Sequence, residues 1–328
     1  MSNSRLSLAA EGGQFELPSE GRIAVFAPVA GTDLSALPKE RCVVIQTFKP
    51  DYDAFAQTGW DCAVEAEGDF AASVVFLTRA KAQARGYIAQ AAGFGGLVVI
   101  DGQKNDGVES YLKDCRKRST NVSSAISKAH GKLFSFQGGD YSDWINSGPS
   151  KVDDEFVTRP GVFSADGIDP ASAALAAALP EKLGKQVADL GAGWGYLSRA
   201  ILGREGVDNL YVVEADHIAL SCAKENVTDD RAEFFWSDAT TWEPRAKMNT
   251  VVMNPPFHTS RKAEPDLGRA FIAAAARMLA PTGHLWLVAN RHLPYEARLE
   301  ELFTKVEEVA GDNRFKVLRA ERPTRAKR

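Results

Sequence analysis

The chain runs twice through one alternation of apolar runs and helical stretches, and this repeat limits its fold more than any other feature. Ser73-Val74-Val75-Phe76-Leu77, a helical stretch, then Gly96-Leu97-Val98-Val99-Ile100 form the first pass. Thr250-Val251-Val252-Met253-Asn254, a helical stretch, then Gly283-His284-Leu285-Trp286-Leu287-Val288 form the second. Short apolar runs alternating with helices indicate a sheet with helices packed on it, here in tandem. At 328 residues, with 45% hydrophobic, the chain can fill two cores. The expected division is residues 1–150 and 151–328. The Gly-, Ser- and Asp-rich stretch from Gln137 to Asp154 serves as connector.

In the first half, strands are expected at Arg22–Pro28, Cys42–Phe48, Ser73–Thr78, Gly96–Asp101 and Lys132–Phe136. Helices are expected at Lys81–Ala92 and Val108–Arg118. In the second half, Asp169-Pro170 reads as a helix N-cap followed by proline at the first helical position. Strands follow at Gln186–Leu190, Asn209–Glu214, Ala232–Trp236, Thr250–Met253 and His284–Ala289, then a hairpin-like pair at Val306–Ala310 and Arg314–Arg319. Helices fit at Tyr196–Leu202, Ile218–Asn226 and Arg269–Leu279. The expected class is α/β, doubly wound.

Two strand ends carry chemistry. Val251-Val252-Met253 stops at Asn254-Pro255-Pro256-Phe257. Proline gives no hydrogen to a sheet ladder, so the strand ends there with a stiff turn. The Asn254 amide oxygen and the Pro255 carbonyl can both accept from one planar amino group, and Phe257 can stack beside it. Such a group is an exocyclic base amine or a side-chain amide.

The other strand end is Val187-Ala188-Asp189-Leu190-Gly191-Ala192-Gly193-Trp194-Gly195. A dinucleotide-binding turn needs glycines spaced G-x-G-x-x-G to seat a pyrophosphate on a helix N-terminus. Here Gly195 falls one residue early and Tyr196 holds the required position. Asp189 would repel a pyrophosphate but suits an ammonium or sulfonium. Glu214, at the end of the next strand, can accept both hydroxyls of a ribose. Asp238, after the third, can accept from an adenine amine.

These residues make the second half, from Gly161 to Ala320, resemble a class I S-adenosylmethionine-dependent methyltransferase. Gly161-Val162-Phe163-Ser164, Asp166-Gly167, Asn254-Pro255-Pro256-Phe257-His258, Val288-Ala289-Asn290-Arg291-His292-Leu293-Pro294-Tyr295 and Arg314-Phe315-Lys316-Val317 narrow the likeness. They are similar to the ribosomal RNA guanine-N2 methyltransferases of the RsmC and RlmG type. The resemblance implies two tandem Rossmann-like class I methyltransferase folds, the N-terminal one degenerate. It implies S-adenosylmethionine held by Asp189, Gly191, Gly193, Gly195, Glu214 and Asp238. Asn254, Pro255 and Phe257 would act on the acceptor, with Phe163, His258 and Arg291 as candidate substrate contacts. The partner implied is ribosomal RNA or the small ribosomal subunit. Adenine-N6 and a protein glutamine amide remain alternative acceptors, and an RNA-binding or assembly factor on an inactive scaffold remains an alternative class.

Charge and cysteine set the remaining expectations. The net charge of −4 gives no basic footprint overall. Basic residues do cluster at Lys113, Arg116, Lys117 and Arg118, and at Arg314, Lys316, Arg319, Arg322, Arg325, Lys327 and Arg328. The first cluster could place RNA phosphates. Cys42, Cys62, Cys115 and Cys222 are scattered without a C-x-x-C pair, as expected of reduced thiols in the cytoplasm. Neither a metal site, a secretory signal nor a membrane span is expected, and the chain is expected to be monomeric.

Overall fold

The computed structural model describes residues 4–145, 148–256 and 265–324. It divides into two compact units, Met1–Gly148 and Pro149–Arg328. The first contains β1 (Ile23–Phe26), β2 (Cys42–Ile45), β3 (Asp61–Ala63), β4 (Ala72–Phe76), β5 (Leu97–Gln103), β6 (Asn121–Val122), β7 (Ile126–Lys128) and β8 (Gly131–Gln137). Its helices are α1 (Arg5–Glu11), α2 (Lys49–Gln57), α3 (Lys81–Gly93) and α4 (Val108–Arg118). The second contains β9 (Ser150–Val152), β10 (Phe156–Thr158), β11 (Gln186–Leu190), β12 (Asn209–Glu214), β13 (Ala232–Trp236), β14 (Met248–Met253), β15 (Leu279–Asn290), β16 (Phe303–Gly311) and β17 (Phe315–Pro323). Its helices are α5 (Pro170–Ala178), α6 (Tyr196–Leu202), α7 (His217–Asn226), α8 (Pro265–Met278) and α9 (Glu296–Leu302).

The two main sheets share one topology. The first is ordered β3-β2-β1-β4-β5-β8-β6, with β7 also on β8; the second is ordered β13-β12-β11-β14-β15-β17-β16. Five parallel strands in each are closed by antiparallel ones. In the first sheet β1 and β2 are apolar and buried throughout, as a sheet covered by helices on both faces demands. Apolar clusters lie on either side of each sheet.

Register shows what the first copy has lost. Phe26 pairs with Ile45 and Val75, and Leu190 pairs with Val213 and Met253. After these, the Ala27 N–H donates to the Ile45 carbonyl at 2.9 Å, as the Gly191 N–H does to Val213 at 2.9 Å. Gln46 then stands where the second unit has Glu214. Its Oε1 accepts from the Phe48 N–H at 2.9 Å and its Nε2 donates to the Pro28 carbonyl at 2.8 Å. The neutral amide keeps the turn that the acid makes in the second unit, without the charge. Val25 replaces Asp189. The same register makes Phe76, not Leu77, the counterpart of Asn254, one residue earlier than the sequence repeat suggests. Leu77 itself closes down on Gly102, where an added Cβ would come within 2.4 Å of its Cδ1.

Three sequence expectations are corrected. The stretch from Gln137 to Asp154 is not a plain connector: Tyr141 and Trp144 are buried in the first core, and Ser150–Val152 pairs with Phe156–Thr158. Aromatic side chains within a polar stretch anchor it. The strands β3, β6 and β7 are additional to those expected, being only two or three residues long. Arg118 is committed to its own unit. It forms a forked pair with Asp143 at 2.6 and 2.8 Å and lies 4.8 Å over the Trp144 ring. Within the C-terminal basic cluster, Lys316 is buried against the Leu293 carbonyl at 2.8 Å and Arg319 meets Glu307 and Glu321, while Arg314 stays exposed. Arg325, Lys327 and Arg328 lie outside the described residues. Among those described, no helix is long and apolar enough to cross a membrane.

Candidate functional site

Because β11 aligns with both neighbours, its glycine turn, Glu214 and Asn254 emerge at one carboxyl edge of the second sheet. A small open cleft lies there, lined among others by Phe163, Asp169, Ser172, Gly191, Gly193 and Asn254. Ligands of open α/β sheets bind at this edge.

The three glycines do different work. All have positive φ, at 73°, 58° and 92° for Gly191, Gly193 and Gly195. A Cβ on Gly195 would meet Val227 Cγ2 at 2.9 Å, so this glycine lets α6 approach α7 rather than a ligand. A Cβ on Gly191 would touch the Phe271 ring at 3.4 Å, whereas one on Gly193 would meet nothing within 4 Å. Gly193 is the position where backbone is open to a ligand. Its N–H donates to Glu214 Oε2 at 2.7 Å, and the other Glu214 oxygen accepts from the Asp216 N–H at 2.8 Å.

Asp189 lies fully buried in β11 beneath the turn. Its Oδ2 accepts from Ser198 Oγ at 2.6 Å, while Oδ1 has no partner among the described residues. A buried unpaired carboxylate oxygen is costly. Burial pushes the Asp189 carboxyl up to about 7; the Ser198 bond opposes this and Glu214 adds to it. Burial also pushes Glu214 up to about 7, against the N–H groups of Asp216 and Gly193. The pair suits a ligand that brings positive charge and hydroxyl donors. Asp238 caps its own turn, its Oδ1 accepting from the Thr240 N–H at 2.8 Å and Oγ1 at 2.7 Å.

Asn254 follows β14, with Pro255 buried behind it. Its Nδ2 donates to Asp169 Oδ2 and to Ser172 Oγ, both at 2.9 Å. An ionised carboxylate only accepts, so the amide nitrogen must face Asp169. The same Asp169 oxygen caps α5, accepting from the Ser172 N–H at 2.8 Å. The cap is legible in the sequence; its second bond, to a residue 85 positions away, is not.

Trp194, Ser198 and Asn226 also belong to the site, and no sequence motif marks them. Trp194 is buried against Phe156 and its Nε1 donates to the Phe163 carbonyl at 3.0 Å, tying the lead-in loop to the glycine turn. Asn226 binds the Trp194 carbonyl at 2.7 Å and bridges both backbone groups of Val157. The Phe163 ring is left exposed at the cleft. Arg291 does not line the cleft. Its guanidinium meets Glu308 at 2.8 Å and the carbonyls of Asp312 and Phe315, bracing the end of β15. Phe257 and His258 lie outside the described residues. Among those described, no cluster of His, Cys, Asp or Glu could hold a metal ion.

The carboxyl pair makes stability depend on pH. Both groups titrate near 4 when unfolded and near 7 when folded, so between these values the folded state binds more protons. Stability of the ligand-free protein is therefore expected to fall from pH 4.5 to 7.5, by about 3 kcal/mol for each carboxyl that titrates independently. Asp189→Asn should remove much of that slope in urea titrations. A parental slope in this variant would contradict the assignment.

The comparisons agree with this geometry. The family model for the methyltransferase small domain matches residues 153–319. The ribosomal RNA small subunit methyltransferase C of Hahella chejuensis is 30% identical over 67% of this chain and 68% of its own length. The ribosomal RNA large subunit methyltransferase G of Streptomyces avermitilis is 35% identical over 49% of this chain, but the match spans only 43% of that relative. The solved T. thermophilus 16S rRNA N2 guanine methyltransferase RsmC, a complex with AdoMet and guanosine, is 26% identical. It superposes with a TM-score of 0.80 over 97% of this chain and 91% of its own. The matched domain, the repeated sheet and the strand-edge site together place the chain in the methyltransferase small domain family, with the class I methyltransferases of the RsmC and RlmG type.

Proposed function

We propose that this chain transfers a methyl group from S-adenosylmethionine to the exocyclic N2 amine of a guanine in ribosomal RNA, that of the small subunit. The observation that carries this reading is the orientation of Asn254. Both its amide hydrogens are turned to Asp169 and Ser172, so Oδ1 is the atom free to accept a hydrogen from an incoming amine. A site built to accept selects an amino group over a carbonyl. The likeness to a structure that holds AdoMet and guanosine supports the choice of cofactor and base.

S-adenosylmethionine supplies an electrophilic methyl on a sulfonium. Asp189 and Glu214 supply the anionic floor for it, Gly193 the open backbone, and Asp238 an acceptor at the next strand end. The guanine N2 lone pair is delocalised into the ring and is a poor nucleophile. Accepting its hydrogens at Asn254 Oδ1 and the Pro255 carbonyl favours a pyramidal nitrogen with its lone pair aimed at the methyl. The new N–C bond forms as the S–C bond breaks, and the amine proton leaves to solvent. Catalysis is then by position and fixed dipoles, without a strong base. The base must leave its stack to reach the cleft, with Phe163 and Phe257 as stacking faces.

The first unit, stripped of the acid, the glycine turn and the amide, is proposed to bind RNA. Lys113, Arg116 and Lys117 stand exposed along α4 and could place phosphates, which position a strand without reading it. Arg118 is excluded from that role by Asp143.

Asn254→Ala should keep the parental affinity for S-adenosylhomocysteine while methyl transfer falls about 10²-fold or more, the scale of one lost preorganised group. Near-normal turnover would refute the role of the amide. Replacing Lys113, Arg116 and Lys117 by Ala should lower RNA affinity and flatten its salt dependence by about 0.7–0.9 for each phosphate no longer neutralised. Parental affinity and slope in a folded protein would show that α4 takes no part.

A further inference from the structure

We propose that Asp169 and Ser172 are positioning residues for methyl transfer, acting through Asn254 to lock its amide in the accepting orientation. This rests on the proposed role of Asn254 and goes beyond it, since neither residue belongs to the Asn-Pro-Pro-Phe turn. An amide side chain in a turn can rotate by a half-turn and exchange its oxygen for its nitrogen with almost no change in shape. Presented that way round, Nδ2 would offer a donor to the incoming amine, which is itself a donor there. The flipped conformer would be unproductive.

The structure removes that freedom from one side. Asp169 Oδ2 and Ser172 Oγ each lie 2.9 Å from Asn254 Nδ2, so both amide hydrogens are held. Rotation would set the amide oxygen against the Asp169 carboxylate, two acceptors without a hydrogen between them. Asp169 is fixed in turn, because the same Oδ2 accepts from the Ser172 N–H at 2.8 Å as the N-cap of α5. Pro170 at the first helical position stiffens the cap. Ser172 is buried and lies within the first turn of that helix. The start of a nine-residue helix thus serves as the rest for a side chain on the neighbouring strand edge. The cleft lining includes Asp169, Ser172 and Asn254 together.

Two substitutions at Asp169 separate the clamp from the cap. Serine caps helices as well as aspartate but is too short to reach the Asn254 amide. Asparagine caps too, and its side-chain oxygen can accept from both partners. In the full-length protein, Asp169→Ser should lower kcat about tenfold, the scale of one oriented hydrogen bond. KM for RNA, affinity for S-adenosylhomocysteine and Tm should stay close to parental. Asp169→Asn should restore kcat to within about threefold of parental. Ser172→Ala, which removes one acceptor without touching the cap, should lower kcat in the same direction as Asp169→Ser. In an Asn254→Ala background, Asp169→Ser should add no further loss, because nothing remains to be oriented. Single-turnover transfer of a labelled methyl group reads all five variants. If Asn254→Ala is impaired while Asp169→Ser and Ser172→Ala turn over normally, the clamp is overturned and the amide role stands. If Asp169→Ser costs as much in the Asn254→Ala background as alone, Asp169 acts otherwise and the clamp is again overturned. If Asn254→Ala itself is normal, the amide role falls and takes the clamp with it.

Discussion

Backbone pairing on both sides of β11 is the constraint on which the site depends. With Leu190 level with Val213 and Met253, three strands end together, and the turns that leave them must share one edge. The ladder therefore brings the glycine turn, Glu214 and Asn254 into reach without any side chain having to find another. Side chains then refine the edge. Gly193 donates to Glu214, Ser198 to Asp189, and Asn254 to Asp169 and Ser172. Each bond holds a polar group where apolar packing alone would leave it loose, and a site set on strand ends is preorganised by the sheet.

The first unit tests that logic, because it keeps the ladder and changes the edge. Phe26 is level with Ile45 and Val75, and the turn after it closes with the same 2.9 Å bond, now from Ala27. Without a glycine there, Ala27 takes a strained φ of 53°. Gln46 replaces the acid with an isosteric amide that satisfies the turn. Leu77 fills the space beside Gly102. The fold thus accommodates an apolar residue in place of Asp189 and a neutral amide in place of Glu214 at this edge. Asp189 in particular burdens the ligand-free protein with an unpaired buried oxygen. A group that costs stability and could be replaced, as Val25 shows, fits the binding role proposed for it.

Much of this is legible in the sequence, for identifiable reasons. The strands β11, β12 and β13 run between the residues expected, because short apolar stretches there are bounded by turn formers on both sides. The Asp169 cap is legible because Asp-Pro is a local signal. The features that escape are short, or distant in sequence. Three-residue strands such as β3 are too short to carry a detectable alternation. Trp194 looks like one more residue of a glycine turn, yet it packs on Phe156 and secures the lead-in loop. Arg291 looks like a substrate contact by its place after a strand, and the acids that engage it lie 17 and more residues further on. The partners of Asn254 sit 82 and 85 residues upstream, beyond any local pattern.

The central claim is that the Asn254 edge accepts the N2 amine of a guanine in ribosomal RNA. It is tested most directly by mass mapping of modified nucleosides in small-subunit RNA from cells with and without this protein. One N2-methylguanosine should disappear with the protein and return when purified protein and S-adenosylmethionine are supplied. An unchanged set of N2-methylguanosines, with loss instead of an N6-methyladenosine or of a methylated glutamine in protein, would contradict it.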